Sequence, residues 1–319
     1  MSQRSLNWIY SKPTMSRRYE VWFLKILLAD GSGAWWIRYL LMNLGRKEGG
    51  EGCGEAPRGM PVQVWATWFP KDGRPQGFIQ GFSKEGLSLN SQPFSINFRD
   101  NRIDENSCAG RVETDGHTVS WNLRYSSTLS VTMSDAGRIG FSRTPHSNAT
   151  FSGEINFDGR TFAAEVLGYG LQGHNCGYRH RHTWTWTHML ALDPDLGPTT
   201  FEALEYEIGA GLMFRKALLW HEGTLHTFRR FSKVSRDRDA LMWMFTCYDR
   251  ADRLRVEIAV DGGGDSLYRL PYMKTDCSGT FEVSNNSLAA RTIHISRNNR
   301  HQEPMRANGG ATIEMVGGR

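Results

Sequence analysis

The sequence predicts an all-β fold made of two tandem antiparallel β-barrels. Three observations predict it: apolar and polar residues alternate along most of the chain, turn-forming pairs recur at short intervals, and the second half faintly repeats the first. The 319 residues are enough for two domains, because one domain commonly takes about 100 to 200 residues.

Alternation is the first of these signals. In 119–125 and again in 254–260, every second residue is apolar or aromatic, as in a strand with one buried face. The segment 201–220 is also predicted as strand, because Gly209 and Gly211 interrupt its helical pattern. Pairs typical of hairpin turns separate such segments; they are Asp30-Gly31, Asp72-Gly73, Asp115-Gly116, Asp158-Gly159, Glu222-Gly223 and Asp261-Gly262.

The internal repeat predicts where the two domains lie. Trp22 begins a hairpin that returns through Trp36, and Trp186 begins a similar hairpin in the second half. We therefore predict domains at 1–175 and 176–319. The Gly-rich segment 45–60 has no counterpart in the second half and predicts a long loop or lid. A long antiparallel meander avoids exposed edges by closing, and a barrel of about eight strands leaves room for one small ligand.

Charge and composition exclude several classes of function. The net charge is +5, but the basic residues are spread along the chain, so we expect no nucleic-acid partner. The most apolar stretch, 21–44, contains Lys25, Asp30 and Arg38 and predicts a hairpin, not a membrane span. No signal peptide is visible, which predicts a cytoplasmic protein. Five cysteines with no close pair predict reduced thiols.

Two motifs resemble cofactor sites by spacing alone. Gly168-Tyr-Gly-Leu-Gln-Gly173 fits a dinucleotide fingerprint, but strand-like alternation follows it where a helix would be required. We expect no dinucleotide, and we expect these glycines to let the chain turn between the barrels. His174, Cys176, His180 and His182 match no established zinc spacing, so we expect no metal.

An aromatic row in the second half is a candidate ligand site. Trp184, Trp186 and His188 occupy alternate positions, so their side chains leave one face of a strand. Such a row suits an apolar ligand that needs one polar contact. The alternative is a packed core with a structural histidine.

The first strand carries a second candidate site. Glu20 and Trp22 share one face, and Trp36 and Arg38 follow on the paired strand. A carboxyl group beside indole rings favours a proton-donating role, although Glu20 could instead pair with Arg38. We predict Glu20, His188 and Glu205 as catalytic residues, in a cavity lined by both aromatic segments.

Two segments resemble a known superfamily. Tyr19-Glu-Val-Trp-Phe-Leu-Lys25 is similar to its F-E-x-W-Y-x-K opening, and 168–186 is similar to its G-Y-x-x-x-H-N-W-G…W-x-W segment. Both belong to the double-lipocalin proteins, which include carotenoid 1,2-hydratases, tocopherol cyclases, AttH-like proteins and fungal Diels–Alderases. The ending 310–314 is also similar. The chain departs from the pattern at Cys176, where the superfamily has Trp.

The resemblance implies two tandem lipocalin-like barrels and a small hydrophobic ligand. It implies cyclisation, including the Diels–Alder type, or hydration of a polyene or isoprenoid without a cofactor, with substrate collected by peripheral membrane contact. The matching motif residues are Glu20, Trp22, Lys25, His174, Asn175, Trp184 and Trp186. The predicted ligand-binding residues are Trp22, Trp36, Arg38, His174, Asn175, Trp184 and Trp186. A non-catalytic carrier of a lipid or pigment is the alternative, and a barrel filled by its own side chains is a third.

Overall fold

The computed structural model describes residues 5–46, 57–193, 197–298 and 300–317. All helical or extended structure within these ranges is β-strand, which confirms the all-β, tandem lipocalin-like fold. None of the described residues forms a helix with the length and apolar character needed to cross a membrane. Most of the predicted loop 45–60 lies outside the described residues.

The first sheet is antiparallel and contains twelve strands within the described part of the chain. They are β1 (Tyr19–Leu28), β2 (Gly33–Met42), β3 (Val62–Pro70), β4 (Gln76–Phe82), β5 (Ser88–Ser91), β6 (Phe94–Phe98), β7 (Asn101–Asp104), β8 (Ser107–Thr114), β9 (His117–Ser126), β10 (Val131–Asp135), β11 (Gly140–Phe157) and β12 (Arg160–Gly177).

The order of these strands is that of a meander whose ends meet. The path runs β4-β3-β2-β1-β12-β11-β9-β8-β7-β6-β5, and β10 pairs with β11. The first strand therefore lies between the second strand and the last one. The two ends of this path are β4 and β5, which are consecutive in the sequence but are not neighbours in the sheet order of the described residues.

The second sheet follows the same plan with eleven strands in the described residues. They are β13 (Trp184–Asp193), β14 (Gly197–Gly209), β15 (Leu212–His221), β16 (Thr224–Phe228), β17 (Phe231–Asp237), β18 (Met242–Asp249), β19 (Leu254–Asp261), β20 (Tyr268–Met273), β21 (Thr280–Arg297), β22 (Arg300–His301) and β23 (Met305–Val316). The path is β16-β15-β14-β13-β23-β21-β19-β18-β17, with β20 and β22 on β21.

The chain packs into two compact units. The first comprises Met1–Trp68, Gln76–His180 and Tyr272–Phe281, and the second comprises Phe69–Pro75, Arg181–Pro271 and Glu282–Arg319. The domain bounds 1–175 and 176–319 stay a prediction; β12 runs through residue 175 and ends at Gly177.

Several of the predicted turn pairs form tight hairpins. Asp115 and Gly116 join β8 to β9 with φ angles of 53° and 81°. Two successive positive φ values are those of a type I′ turn, whose twist matches the twist of the strands. Ala210 and Gly211 do the same between β14 and β15, at φ 50° and 77°, so 201–220 is two strands, as predicted.

The glycines of 168–173 do not turn the chain between the barrels. They lie inside β12, whose residues 168–177 pair with β1. A Cβ atom at Gly170 would collide with the carbonyl oxygen of Lys25, and one at Gly173 would collide with the Phe23 ring. The expectation of a turn was wrong, because these glycines permit close approach of two strands.

Each unit has a hydrophobic core on one face of its sheet. In β1 the even-numbered residues, including Trp22 and Leu24, belong to the core of the first unit. The odd-numbered residues lie on the opposite face, where Phe23 and Lys25 are also buried and the other three are half-buried. We call the face turned away from a unit's own core the outer face of its sheet.

The cysteines do not all match the prediction of reduced thiols. Cys108, Cys176 and Cys247 are free and buried, but Cys277 is disulfide-bonded. The sequence could not indicate this bond, because a disulfide needs two cysteines that are close in space, not in sequence. Disulfides are rare in the cytosol, so this bond gives no support to the cytoplasmic location, which stays a prediction.

Candidate functional site

The structure divides the predicted site residues among four places. In the first unit, Glu20, Trp22 and His174 face the core, whereas Trp36, Arg38 and Asn175 lie on the outer face. In the second unit, Glu205 is on the core side, whereas Trp184, Trp186 and His188 form a row on the outer face. The assignment follows from the strand registers.

Glu20 is fully buried and is bound by the N-terminal segment. Its Oε1 accepts a hydrogen bond from the backbone N–H of Tyr10 at 2.9 Å and lies within hydrogen-bond distance of His174 Nε2, at 2.9 Å. Its Oε2 accepts from the backbone N–H of Ser11 at 2.6 Å. Arg38 is not its partner, because Arg38 is opposite Phe23 on the other face of the sheet.

His174 links Glu20 to the same N-terminal segment. Its Nδ1 lies 2.8 Å from the carbonyl oxygen of Leu6, and a carbonyl only accepts, so Nδ1 carries a hydrogen. The ring stacks on Trp22 with centroids 4.4 Å apart. With both nitrogens and both carboxylate oxygens engaged, the geometry favours an anchor for residues 6–11. The catalytic role of Glu20 stays a prediction.

Cys176 stands where the resembled motif has Trp, and its side chain contacts the buried Arg18. The Arg18 guanidinium donates to its Sγ at 3.0 Å and stacks on the Tyr178 ring at 4.4 Å. Burial raises the pKa of the Cys176 thiol well above its usual range. The thiol therefore remains protonated and is a packing element, not a nucleophile.

Arg38 is the centre of an aromatic cluster on the outer face of the first unit. Its guanidinium carbon lies 4.0 Å from the Trp36 ring centroid, 5.5 Å from that of Trp65 and 5.0 Å from that of Tyr272. Its Nη1 also donates to the Tyr272 hydroxyl. Arg38, Trp36 and Trp65 are each less than 10% exposed. A cation enclosed in this way is partly desolvated, so its interactions with a ligand would be strong.

His180 adds a neutral ring to this cluster. It stacks on Tyr19 with centroids 4.0 Å apart and meets the Tyr272 ring edge-on at 5.8 Å. Burial lowers the pKa of the His180 imidazole to about 3, and the positive charge of Arg38 contributes. The cluster therefore has one permanent cation and one neutral imidazole at neutral pH.

This lowered pKa predicts a loss of stability in mild acid. Unfolded histidine titrates near 6.5, so the folded state, which resists protonation, loses stability as the pH falls from about 6.5 towards 3. Between pH 7 and pH 5 we expect His180 to account for about 2 kcal/mol of that loss. His180→Phe keeps the ring but cannot titrate, so urea unfolding of this variant should show a smaller decline. Equal declines would contradict the prediction.

The aromatic row of the second unit is tied to two carboxylates. Trp184 Nε1 donates to Glu314 Oε1 at 2.8 Å, and Trp186 Nε1 donates to Glu202 Oε1 at 2.9 Å. His188 is fully buried and lies directly opposite Glu202 in the register. The row has the shared face that alternation predicts. That face is the outer one, because Thr187 and Met189 point to the core side.

Glu205 is held by two arginines on the core side of the second unit. Its Oε2 binds Arg215 Nε, and its Oε1 lies 2.7 Å from Arg236 Nη1. The Glu205 side chain is fully buried, whereas the two arginine side chains are 31% and 33% exposed. Both oxygens are therefore engaged by cations. The predicted catalytic role of Glu205 stays a prediction.

His174 and His180 belong to the cluster for which we expect no metal, and their side chains point in different directions. His174 faces the core of the first unit, whereas His180 lies against Tyr19. Within the described residues, His226, Asp249 and Asp252 do bring possible ligand atoms within 4.8 Å of one another. However, His226 Nδ1 lies 2.9 Å from Asp252 and its Nε2 lies 3.4 Å from Arg297. Those contacts use both ring nitrogens, so hydrogen bonding explains this group.

Sequence reasoning missed part of both outer faces. Trp65 and Tyr272 are separated by more than two hundred residues in the chain, and their rings meet edge-on at 5.3 Å. In β3 Trp65 alternates with the core residues Val64 and Ala66, so the sequence indicated that its side chain lies on the other face of the strand. Nothing local marked Tyr272, and His180 stood out only as part of the cluster of histidines and Cys176, because long-range packing brings both rings to Arg38.

The fold is that of a tandem lipocalin-like β-barrel protein. No protein-family model and no curated protein matches the sequence. Among solved structures, CghA with Sch210972 is similar at TM-score 0.61 and 10% identity, over 95% of this chain and 88% of that chain. Kievitone hydratase from Nectria haematococca is similar at 0.56 and 10%, over 99% and 95%. An AttH-like protein from Nitrosomonas europaea is similar at 0.52 and 13%, over 96% and 94%. These similarities confirm the resemblance at the level of the fold.

Proposed function

We propose that the protein binds a small hydrophobic polyene or isoprenoid that carries a carbonyl group and catalyses its cyclisation or hydration without a cofactor. The supporting observation is the cluster of Trp36, Arg38, Trp65 and Tyr272. Aromatic walls suit an apolar chain, and one enclosed guanidinium suits one oxygen atom. A kievitone hydratase and CghA share the fold, which is consistent with this class of chemistry.

Arg38 would act on the carbonyl group of the substrate. A guanidinium has five N–H donors in one plane; Nη1 donates to Tyr272, and in this proposal another N–H donates to the substrate oxygen. A hydrogen bond from a cation draws electrons from a conjugated carbonyl and stabilises the negative charge that develops on its oxygen. Holding a flexible polyene in a folded conformation lowers the barrier further, because the reacting carbons are then already close.

Pseudoionone is a suitable probe, because it is a linear isoprenoid ketone and its cyclisation gives ionone. We expect it to quench tryptophan fluorescence at lower concentration than β-farnesene, a hydrocarbon of similar length, because only the ketone can accept from Arg38. Gas chromatography of the same mixtures would detect ionone. Binding without conversion, here or with any ligand that co-purifies in native mass spectrometry, would favour the carrier alternative. Equal quenching by the two probes would contradict the role given to Arg38.

A further inference from the structure

One end of the first sheet brings four separate segments of the chain together. Gly177, at the end of β12, pairs both with Tyr19 at the start of β1 and with Gly140 at the start of β11. Just beyond β12, the Tyr178 carbonyl oxygen accepts a hydrogen bond from Thr275 Oγ1 at 2.6 Å. The segments that meet at this end are 12–18, 135–143, 176–180 and 272–278.

These four segments carry a concentrated positive charge. They contain seven Lys or Arg residues and two Asp residues, which leaves a net charge of +5, equal to the net charge of the whole chain. Asp276 lies 3.8 Å from Arg17, and Asp135 lies 2.6 Å from the largely buried Arg143. Five of the cations are exposed, and they are Lys12, Arg17, Arg138, Arg179 and Lys274. Basic residues that are far apart in the sequence are therefore gathered by the fold, and we call this region the basic end.

Two exposed apolar side chains lie beside these cations. Ile139, at the turn between β10 and β11, is 63% exposed, and Tyr178 is 48% exposed. The two residues are neighbours, because the Tyr178 backbone N–H donates to the Ile139 carbonyl oxygen at 3.4 Å. The Arg18 guanidinium stacks on the Tyr178 ring at 4.4 Å and donates to the Arg138 carbonyl oxygen. The basic end therefore combines an aliphatic apex, an aromatic ring and surrounding positive charge.

We propose that the basic end docks on an anionic lipid surface. Ile139 would insert below the headgroups, and Tyr178 would lie at the level of the headgroups, where amphipathic rings are favoured. The exposed cations would lie beside the lipid phosphates, and each cation near such a surface strengthens binding about fivefold. A nucleic acid would also attract the cations, but the exposed isoleucine favours a partner with a hydrocarbon layer.

Lipid binding at this end goes beyond the function proposed above and does not depend on it. Arg38 and Trp36, which carry the proposed function, are buried, whereas the docking residues are exposed. The resemblance to the double-lipocalin proteins implies membrane contact but indicates no surface for it. The distribution of charge and of exposed apolar side chains supplies one.

Co-sedimentation of the full chain with lipid vesicles tests the proposal. Vesicles of phosphatidylcholine and phosphatidylglycerol in equal parts should bind the protein at least about 25-fold more tightly than vesicles of phosphatidylcholine alone. Added sodium chloride should release the protein, because it screens the attraction. The double variant Arg138→Gln/Arg179→Gln should bind about 25-fold more weakly, since it loses two cations. Ile139→Asn should bind about fivefold more weakly, since it loses the apolar insertion.

Matched controls come from exposed positions elsewhere in the chain. Arg124→Gln/Arg160→Gln removes two exposed cations of the first unit, and Arg160 is at the opposite end of β12 from Gly177. Leu212→Asn removes an apolar side chain that is 64% exposed. Both controls should bind like the unchanged protein, and all these variants should keep its melting temperature because the changed residues are exposed.

Three results would overturn the proposal. The first is equal binding to the two kinds of vesicle, or equal losses in the variants of the basic end and in their controls. The second is tighter binding to a single-stranded oligonucleotide that Ile139→Asn leaves unchanged, which would assign the cations to a nucleic acid. The third is a dimer in sedimentation velocity that Ile139→Asn dissociates, which would make this end an interface between two copies of the chain.

Discussion

Replacement of Glu20 by alanine is expected to lower the free energy of unfolding by about 3 to 5 kcal/mol. The Glu20 carboxyl group accepts from the backbone N–H groups of Tyr10 and Ser11 and is also hydrogen-bonded to His174 Nε2. All three groups would lose their partner in a place that excludes water. The loss is therefore larger than that of one hydrogen bond, and residues 6–11 should become sensitive to proteolysis. Urea unfolding and limited digestion would measure both effects.

Glu154→Ala is the matched control, because Glu154 is exposed on β11 of the same sheet. It should change stability by no more than about 0.5 kcal/mol. If Glu20→Ala were as stable as this control but had lost pseudoionone binding, Glu20 would belong to a ligand site and the anchoring role would be wrong.

Replacement of Arg38 by methionine is expected to weaken pseudoionone binding about 10- to 150-fold. Methionine keeps much of the length and the apolar contact with Trp36 and Trp65, but it removes the charge-assisted hydrogen bond to the carbonyl oxygen. Any conversion to ionone should fall at least as far, because the charge on that oxygen grows during the reaction. Fluorescence quenching and gas chromatography would measure the two losses.

The hydrocarbon probe separates this effect from a general disturbance of the cluster. Binding of β-farnesene should be nearly unchanged in Arg38→Met, since it has no oxygen to lose a contact. Arg38→Lys should recover part of the ketone binding, because an ammonium keeps the charge but not the planar fork. If both probes lost affinity together, Arg38 would be a packing residue of the outer face.

The fold was predictable because its signals are local. Alternation in 119–125 and the Asp115-Gly116 pair specify strands and a hairpin from neighbouring residues alone. The sequence did not predict which side of the sheet would face the core. Trp184, Trp186 and His188 have the expected common face, but only the packing of the core shows that it is the outer one.

The candidate sites were partly predictable for the same reason. Arg38 and Trp36 stood out by their place after a patterned strand, whereas Tyr272 reaches them through contacts that no local pattern encodes. Besides His174, the partners of Glu20 are backbone groups of Tyr10 and Ser11, and a backbone N–H leaves no mark in a sequence. The disulfide of Cys277 was hidden because its spacing carries no signal.

The position of β1 between β2 and β12 also has a consequence during protein synthesis. On the ribosome, β1 and β2 can pair as soon as Met42 has emerged, but the other edge of β1 must wait for β12, which ends at Gly177. At about 5 to 20 residues per second, that interval lasts roughly 7 to 27 seconds. Throughout it, the nascent chain presents the unpaired N–H and C=O groups of an apolar strand, which is the form most prone to pairing with another chain. A somewhat shorter interval recurs for β13, because its second neighbour in the sheet, β23, comes last in the sequence among the described strands.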